Sequence, residues 1–229
     1  MKKLSVPMTR HEIIIGVVYL FLQLIIIPGA LTLGNEYLGA PLSDAEINFL
    51  YFCINFLCIT VILHEFLLKS IKHSLQAPLR CLVGAFLGLC RYWLLSLAVS
   101  YLIEILYPDF YNVNDGTIQS MMDDNWQLVS IGTVLLVPLT EELLYRGLIF
   151  RPLYNKNRLA GYVISTFIFS ALHVVSYIGL YSPVHLALCF LQYLPAGISL
   201  AWAYAKTDSI WSPIMMHMTI NLIATLSMR

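Results

Sequence analysis

The sequence predicts an all-α fold, a polytopic membrane bundle of about seven transmembrane helices. Of the 229 residues, 59% are hydrophobic and only 11% charged, against roughly 25% charged in an ordinary soluble domain. Mean hydropathy is +0.77. The apolar residues fall in runs of about 20, the length a helix needs to cross a bilayer. Net charge is zero, which excludes a strongly basic nucleic-acid surface.

Seven runs qualify as spans: Ile13–Leu33, Ile47–Leu68, Cys81–Leu106, Leu128–Phe150, Ala160–Ile178, Val184–Ala205 and Ile210–Leu226. The first is about 20 residues long, more than the roughly 7–15 of a cleavable signal's apolar region, so it reads as a retained span. Lys2, Lys3 and Arg10 precede it. The next connection carries Glu36, Asp44 and Glu46 and no basic residue, whereas Lys69, Lys72 and Arg80 follow the second span. Asp109, Asp115, Asp123 and Asp124 follow the third; Arg151, Lys156 and Arg158 follow the fourth; Lys206 follows the sixth. Basic residues on every second connection place the N-terminus in the cytoplasm and the C-terminus outside. Tyr107–Gln127 is the one long polar connection, with NVNDG at 112–116 as turn chemistry. Cys53, Cys58, Cys81, Cys90 and Cys189 lie in apolar segments without a CxxC and read as small apolar side chains. No repeat or second domain is visible, so 1–229 reads as a single membrane domain.

Ionisable groups at membrane depth cost roughly 2.5–3.5 kcal/mol each on insertion scales and call for a reason. LTEELLYRGLIF holds three of them. Glu142 and Arg146, at i and i+4, share a helix face and can pair. Glu141 is rotated by about 100° and points elsewhere. A structural ion pair would explain Glu142 and Arg146, but it needs no second glutamate. His173 follows Phe169 by one turn in FSALH, and His217 and Asn221 stand at i and i+4 in HMTIN. With a rise of ~1.5 Å per residue, Glu141 lies about 14 Å in from Phe150, His173 about 20 Å in from Ala160, and His217 and Asn221 about 10 and 16 Å in from Ile210. Three spans thus bring polar groups to similar depth, which separate pieces of helix glue would not require. A carboxylate and an imidazole can hold and deprotonate water. A second imidazole with a carboxamide can donate hydrogen bonds to an oxyanion. Such a set could hydrolyse an amide without a covalent intermediate. Zinc held by Glu141, His173 and His217 is the lesser alternative, since no HExxH occurs: His64-Glu65 has Leu68 where the second histidine would stand.

EELLYR, FSALH and HMTIN resemble, in order and spacing, the EExxxR, FxxxH and HxxxN motifs of the CPBP family. That family takes in the type II CAAX prenyl proteases, the Abi proteins and the bacteriocin-processing or immunity proteins. The resemblance covers 128–226; residues 1–127 are spans without a motif. It implies an intramembrane endopeptidase of glutamate type, although older accounts call the family metal-dependent. By the same resemblance Glu141 is the base acting on water with His173, His217 and Asn221 form the oxyanion site, and Glu142, Arg146 and Phe169 support them. No cofactor is expected. The expected partners are the lipid bilayer and a membrane-associated peptide or protein substrate, in a bacterial cell membrane. A non-catalytic immunity or scaffold protein is the alternative; a proton-relay transporter ranks lower because no inverted repeat is visible.

Other ionisable groups read as structural. Arg91 is mid-span and has to reach another helix, with Glu104 13 residues away and out of range. His64 and Glu65 lie near the cytoplasmic end, and His185, just after Pro183, is interfacial. Pro138 and Pro195 are expected to kink their helices and open space for water.

Overall fold

The computed structural model describes residues 3–39 and 41–229; Lys2 lies outside them. The described residues form a helical bundle: α1 Arg10–Glu36, α2 Asp44–Ile62, α3 His64–Leu75, α4 Pro78–Leu106, α5 Val113–Lys156, α6 Arg158–Leu172, α7 Pro183–Thr207 and α8 Trp211–Ser227. Five of these, α1, α2, α4, α5 and α7, are long and apolar enough to cross a membrane. The chain is an integral membrane protein. Of the seven predicted spans, the fifth and seventh are the short ones, with 15 residues in α6 and 17 in α8.

Helix starts follow local chemistry. Thr9 with Glu12, and Ser43 with Glu46, form reciprocal capping boxes for α1 and α2. Ser182 caps α7 ahead of Pro183, which loses nothing at the first turn because its missing N–H would have no partner there. Glu12 does more than cap its own helix. Its second oxygen accepts the Phe66 N–H at 2.7 Å, so one buried carboxylate serves the N-termini of both α1 and α3. That tertiary cap explains the break at Leu63, where the predicted span Ile47–Leu68 instead divides into α2 and the interfacial α3.

Two further boundaries differ from expectation. The predicted span Ala160–Ile178 ends as helix at Leu172. His173, a single-turn 3-10 segment Val175–Tyr177 and Gly179 at φ +89° turn the chain back instead. Hydropathy overran this turn because Val174, Val175 and Ile178 are apolar. The connection before the fourth span is itself helical: α5 begins at Val113, bends at Asn125 (φ −149°, ψ 83°) and runs on to Lys156.

Three π-helical stretches, Leu22–Ile26, Gly132–Leu136 and Glu142–Phe150, each end two residues before a proline, namely Pro28, Pro138 and Pro152. Proline removes one N–H and crowds the carbonyl four residues back. A wider turn placed just ahead relieves that crowding without breaking the helix. Pro138 thus distorts α5 as expected, whereas α7 continues as α-helix through Pro195.

The bundle has two distinguishable ends. Near one, the Leu4 N–H donates to Asn155 and the Asn155 amide donates back, while Ser5 donates through both N–H and hydroxyl to Asp208. At the other, the Gln119 amide donates to the Met228 carbonyl. The termini therefore lie at opposite ends, as an odd number of crossings requires. On α4, Gly84 and Gly88 face α7 and α8. A Cβ at Gly84 would strike Thr207, and one at Gly88 would stand 2.7 Å from Met216 Sδ and 3.2 Å from Ala203. Small residues four apart let the backbones close up. Gly84→Val should cost about 1–3 kcal/mol by overpacking and lower the thermal midpoint in detergent, whereas Gly34→Ala, with nothing nearby, should not.

Candidate active site

Glu141, His173, His217 and Asn221 line one cavity of 570 Å³. α5, α6 and α8 contribute these four, and the first three spans complete the wall with Gln23, Tyr51 and Tyr92. The lining extends from Glu141 to Asn112–Thr117, Tyr177 and Met228, and Asp115 and Thr117 are exposed there. The cavity thus opens at the bundle end away from Leu4.

The two adjacent glutamates have different surroundings. Glu142 and Arg146 are both fully buried, and Arg146 Nη1 donates to Glu142 Oε1 at 3.1 Å, the pairing expected from their spacing. Nη2 donates to the Gly197 carbonyl at 3.2 Å, and the guanidinium lies 4.5 Å from the Phe169 ring centre. His217 Nδ1 donates to the same Glu142 oxygen at 2.9 Å, which leaves its Nε2 free. Glu141 lines the cavity, and among the described residues its buried Oε2 has no hydrogen-bond partner.

His173 stands just past the last residue of α6. Its Nδ1 is 2.7 Å from the Phe169 carbonyl oxygen, which can only accept, so Nδ1 carries the proton and the Nε2 lone pair is free in the neutral ring. Phe169 also packs at 4.6 Å against the His173 ring and edge-on at 6.0 Å to His217. It is therefore the strut between both imidazoles and Arg146. The Asn221 amide nitrogen donates one N–H to the Thr133 carbonyl at 2.7 Å and keeps a second.

Sequence reasoning missed the far wall. Tyr193 of α7 stacks on His173 with ring centres 4.1 Å apart and planes 26° apart. The Tyr193 hydroxyl meets Asn112, Asn114 and Asp115, and Asn112 donates to Gln192. NVNDG was legible as a turn, and Asn112 does cap α5. Nothing local shows that the turn folds into a cavity.

The remaining ionisable groups lie elsewhere. Arg91 reaches Trp202 of α7, 5.7 Å from its ring centre, rather than an acid or a carbonyl. His64 bonds the Val61 carbonyl, and Glu65 pairs with Lys69 at the surface. His185 packs among Phe110, Tyr111 and Tyr181. Among the described residues no three His, Cys, Asp or Glu side chains are grouped closely enough to hold a metal ion.

A bundle of apolar helices with a carboxylate and two imidazoles lining one cavity defines a class, that of polytopic helical membrane proteins with a polar internal cavity. Residues 124–223 match the family model described as Type II CAAX prenyl endopeptidase Rce1-like. Over 96 residues, 41% of this chain, the sequence is 34% identical to "Putative membrane peptidase YdiL" of Bacillus subtilis (strain 168). Over 143 residues, 57% of this chain and 73% of the relative, it is 26% identical to "UPF0177 protein YxdF" of Lactococcus lactis subsp. lactis (strain IL1403). The match spans 34% of the length of the first of these. No solved structure matches the chain. Segment 124–223 is therefore similar to Rce1-like CAAX prenyl endopeptidases, and it contains the three motifs that resemble those of the CPBP family.

Removing one partner of a buried ion pair leaves the other uncompensated. Arg146→Met should therefore cost about 3–5 kcal/mol, while the double change Glu142→Gln with Arg146→Met should recover more than half of that. Thermal unfolding in detergent reads both; equal loss in single and double variants would contradict the pairing.

Proposed function

We propose that the chain is an intramembrane endopeptidase that hydrolyses a peptide bond of a membrane-associated peptide or protein. The observation that carries this reading is the half-buried Glu141 carboxylate, whose buried Oε2 has no partner among the described residues, in the same cavity as the free Nε2 atoms of two imidazoles. Glu141 and His173 together hold a water molecule. As the water oxygen attacks the scissile carbonyl, its proton passes to the Glu141 carboxylate and a tetrahedral oxyanion forms. The second Asn221 N–H donates to that oxyanion, and His217, held through Nδ1 by Glu142, turns Nε2 toward it and donates there when in the imidazolium form. Its collapse breaks the C–N bond, and Glu141 returns the proton to the leaving amine. Glu142 and Arg146 act through His217 and do not touch substrate. The basic connections put the Leu4 end on the cytoplasmic side, so substrate and water reach the cavity from outside.

The test is cleavage of a quenched, lipid-anchored peptide library by the full chain in nanodiscs. Glu141→Gln should lower the rate by about 10²–10⁴-fold, the usual contribution of a general base, with elution volume and thermal midpoint unchanged. His173→Ala should fall into the same range. Undiminished cleavage by Glu141→Gln would overturn the reading. Prior treatment with 1,10-phenanthroline should leave the wild-type rate intact, as measured in the same assay.

A further inference from the structure

We infer that the cavity selects a cationic nitrogen, from a Lys or Arg side chain or a free N-terminus, and that Asp115 holds it next to the bond to be cut. The inference rests on the peptidase reading of the same cavity. Glu141 and Asp115 are the Asp and Glu side chains in its lining, and among the described residues no Lys or Arg lines it. Arg146, the nearest buried cation on α5, is turned away toward Glu142 and Gly197. Two carboxylates in one recess that no Lys or Arg lines repel each other, and a ligand cation relieves both.

Asp115 is suitably placed for this. It is exposed at the open end of the cavity and forms no ion pair among the described residues. One oxygen accepts from the Tyr193 hydroxyl at 3.3 Å, leaving the other for a ligand. The same Tyr193 ring stacks on His173, so Asp115 stands one aromatic ring away from the reacting groups. The lining also includes uncharged amides and hydroxyls and the aromatic residues Tyr51, Tyr145 and Tyr177, a residue type on which a cation can also rest. The surrounding end of the bundle has the same sign. Asp109, Asp123 and Asp124 flank the opening segment, and Glu36, Asp44 and Glu46 lie across it. Arg229, 4.5 Å over the Trp126 ring, is the Lys or Arg found there among the described residues. An acidic rim leading to an acidic recess raises the local concentration of cationic ligand and disfavours a C-terminal carboxylate.

The experiment uses the full chain in uncharged phosphatidylcholine nanodiscs and fluorescent apolar peptides identical except at one position, Lys, Gln or Glu, each with a free or acetylated N-terminus. Anisotropy should show the Lys peptide binding about tenfold more tightly than the Gln peptide, the effect of one charge-assisted contact, and the Glu peptide most weakly. If acetylation weakens binding and Lys→Gln does not, the cation is the N-terminus; if Lys→Gln weakens it and acetylation does not, the cation is the side chain. Asp115→Asn should narrow the gap to about threefold or less. Equal binding of the three peptides to the unaltered chain, with no loss on acetylation of the N-terminus, would overturn the inference whatever the variant does. An unchanged gap in a folded Asp115→Asn protein would overturn the role of Asp115. Cleavage of the same peptides separates this inference from its premise. Glu141-dependent cleavage indifferent to Lys, Gln or Glu removes the cation selectivity alone. Cleavage that survives Glu141→Gln removes the peptidase reading, while the binding result stands on its own.

Discussion

The ion pair between Glu142 and Arg146 organises the site, because every helix that carries a proposed reacting group is tied to it. Its acid and base both come from α5, its guanidinium reaches a carbonyl of α7 and lies on Phe169 of α6, and its carboxylate holds His217 of α8. A buried pair of this kind adds little net stability over apolar packing, but breaking it is costly. It is therefore better suited to fixing positions than to adding stability. One oxygen of Glu142 receives both Arg146 and His217, so the imidazole is oriented by a carboxylate whose charge is already matched. With Glu142 committed in this way, its neighbour Glu141 faces the cavity without a counter-ion.

The proline pattern works at the same level. Gly132–Leu136 and Glu142–Phe150, the widened stretches of α5, bracket Val137–Glu141. The glutamate pair is thus displayed at a junction between two helical pitches. A uniform α-helix would also bring residues 142 and 146 together. It would not, however, provide the change of pitch at Glu141, where the chain passes from the α-helical turn containing Pro138 into the wide turn ahead of Pro152.

Much of this was legible because it depends on spacing along one helix. The Glu142–Arg146 pair, the divergence of Glu141 and the shared face of His217 and Asn221 follow from helical geometry, and the apolar runs follow from bilayer thickness. What was illegible depends on contacts between distant parts of the chain. Glu12 caps a helix 54 positions later, and hydropathy had no means of placing a break at Leu63. Asp115 and Tyr193 are 78 positions apart. Each had an ordinary local explanation, as a turn residue and as an apolar aromatic, so neither raised a question that the fold was needed to answer. Arg91 is a different case: it reaches another helix as expected, but meets the face of Trp202 rather than an acid or a carbonyl.

The short α6 links the fold to the chemistry. A hydrolase inside a bilayer has to supply the reactant that the bilayer excludes. A 15-residue helix advances about 22 Å, against a hydrocarbon core of about 30 Å. Had the chain stayed helical to Ile178, apolar side chains from Val174 onward would have continued across the cavity opening. The helix instead stops at His173 with its ring clamped to the Phe169 carbonyl. The space beyond is filled by Asn112, Asn114, Asp115 and Tyr177, whose polar groups can each hydrogen-bond water. Ending the helix at the histidine therefore accomplishes two things at once: it presents Nε2 at the edge of a polar recess, and it lets that recess extend to the end of the bundle. Under the proposed function, the same turn that hydropathy overran is what lets water reach Glu141, His173 and His217.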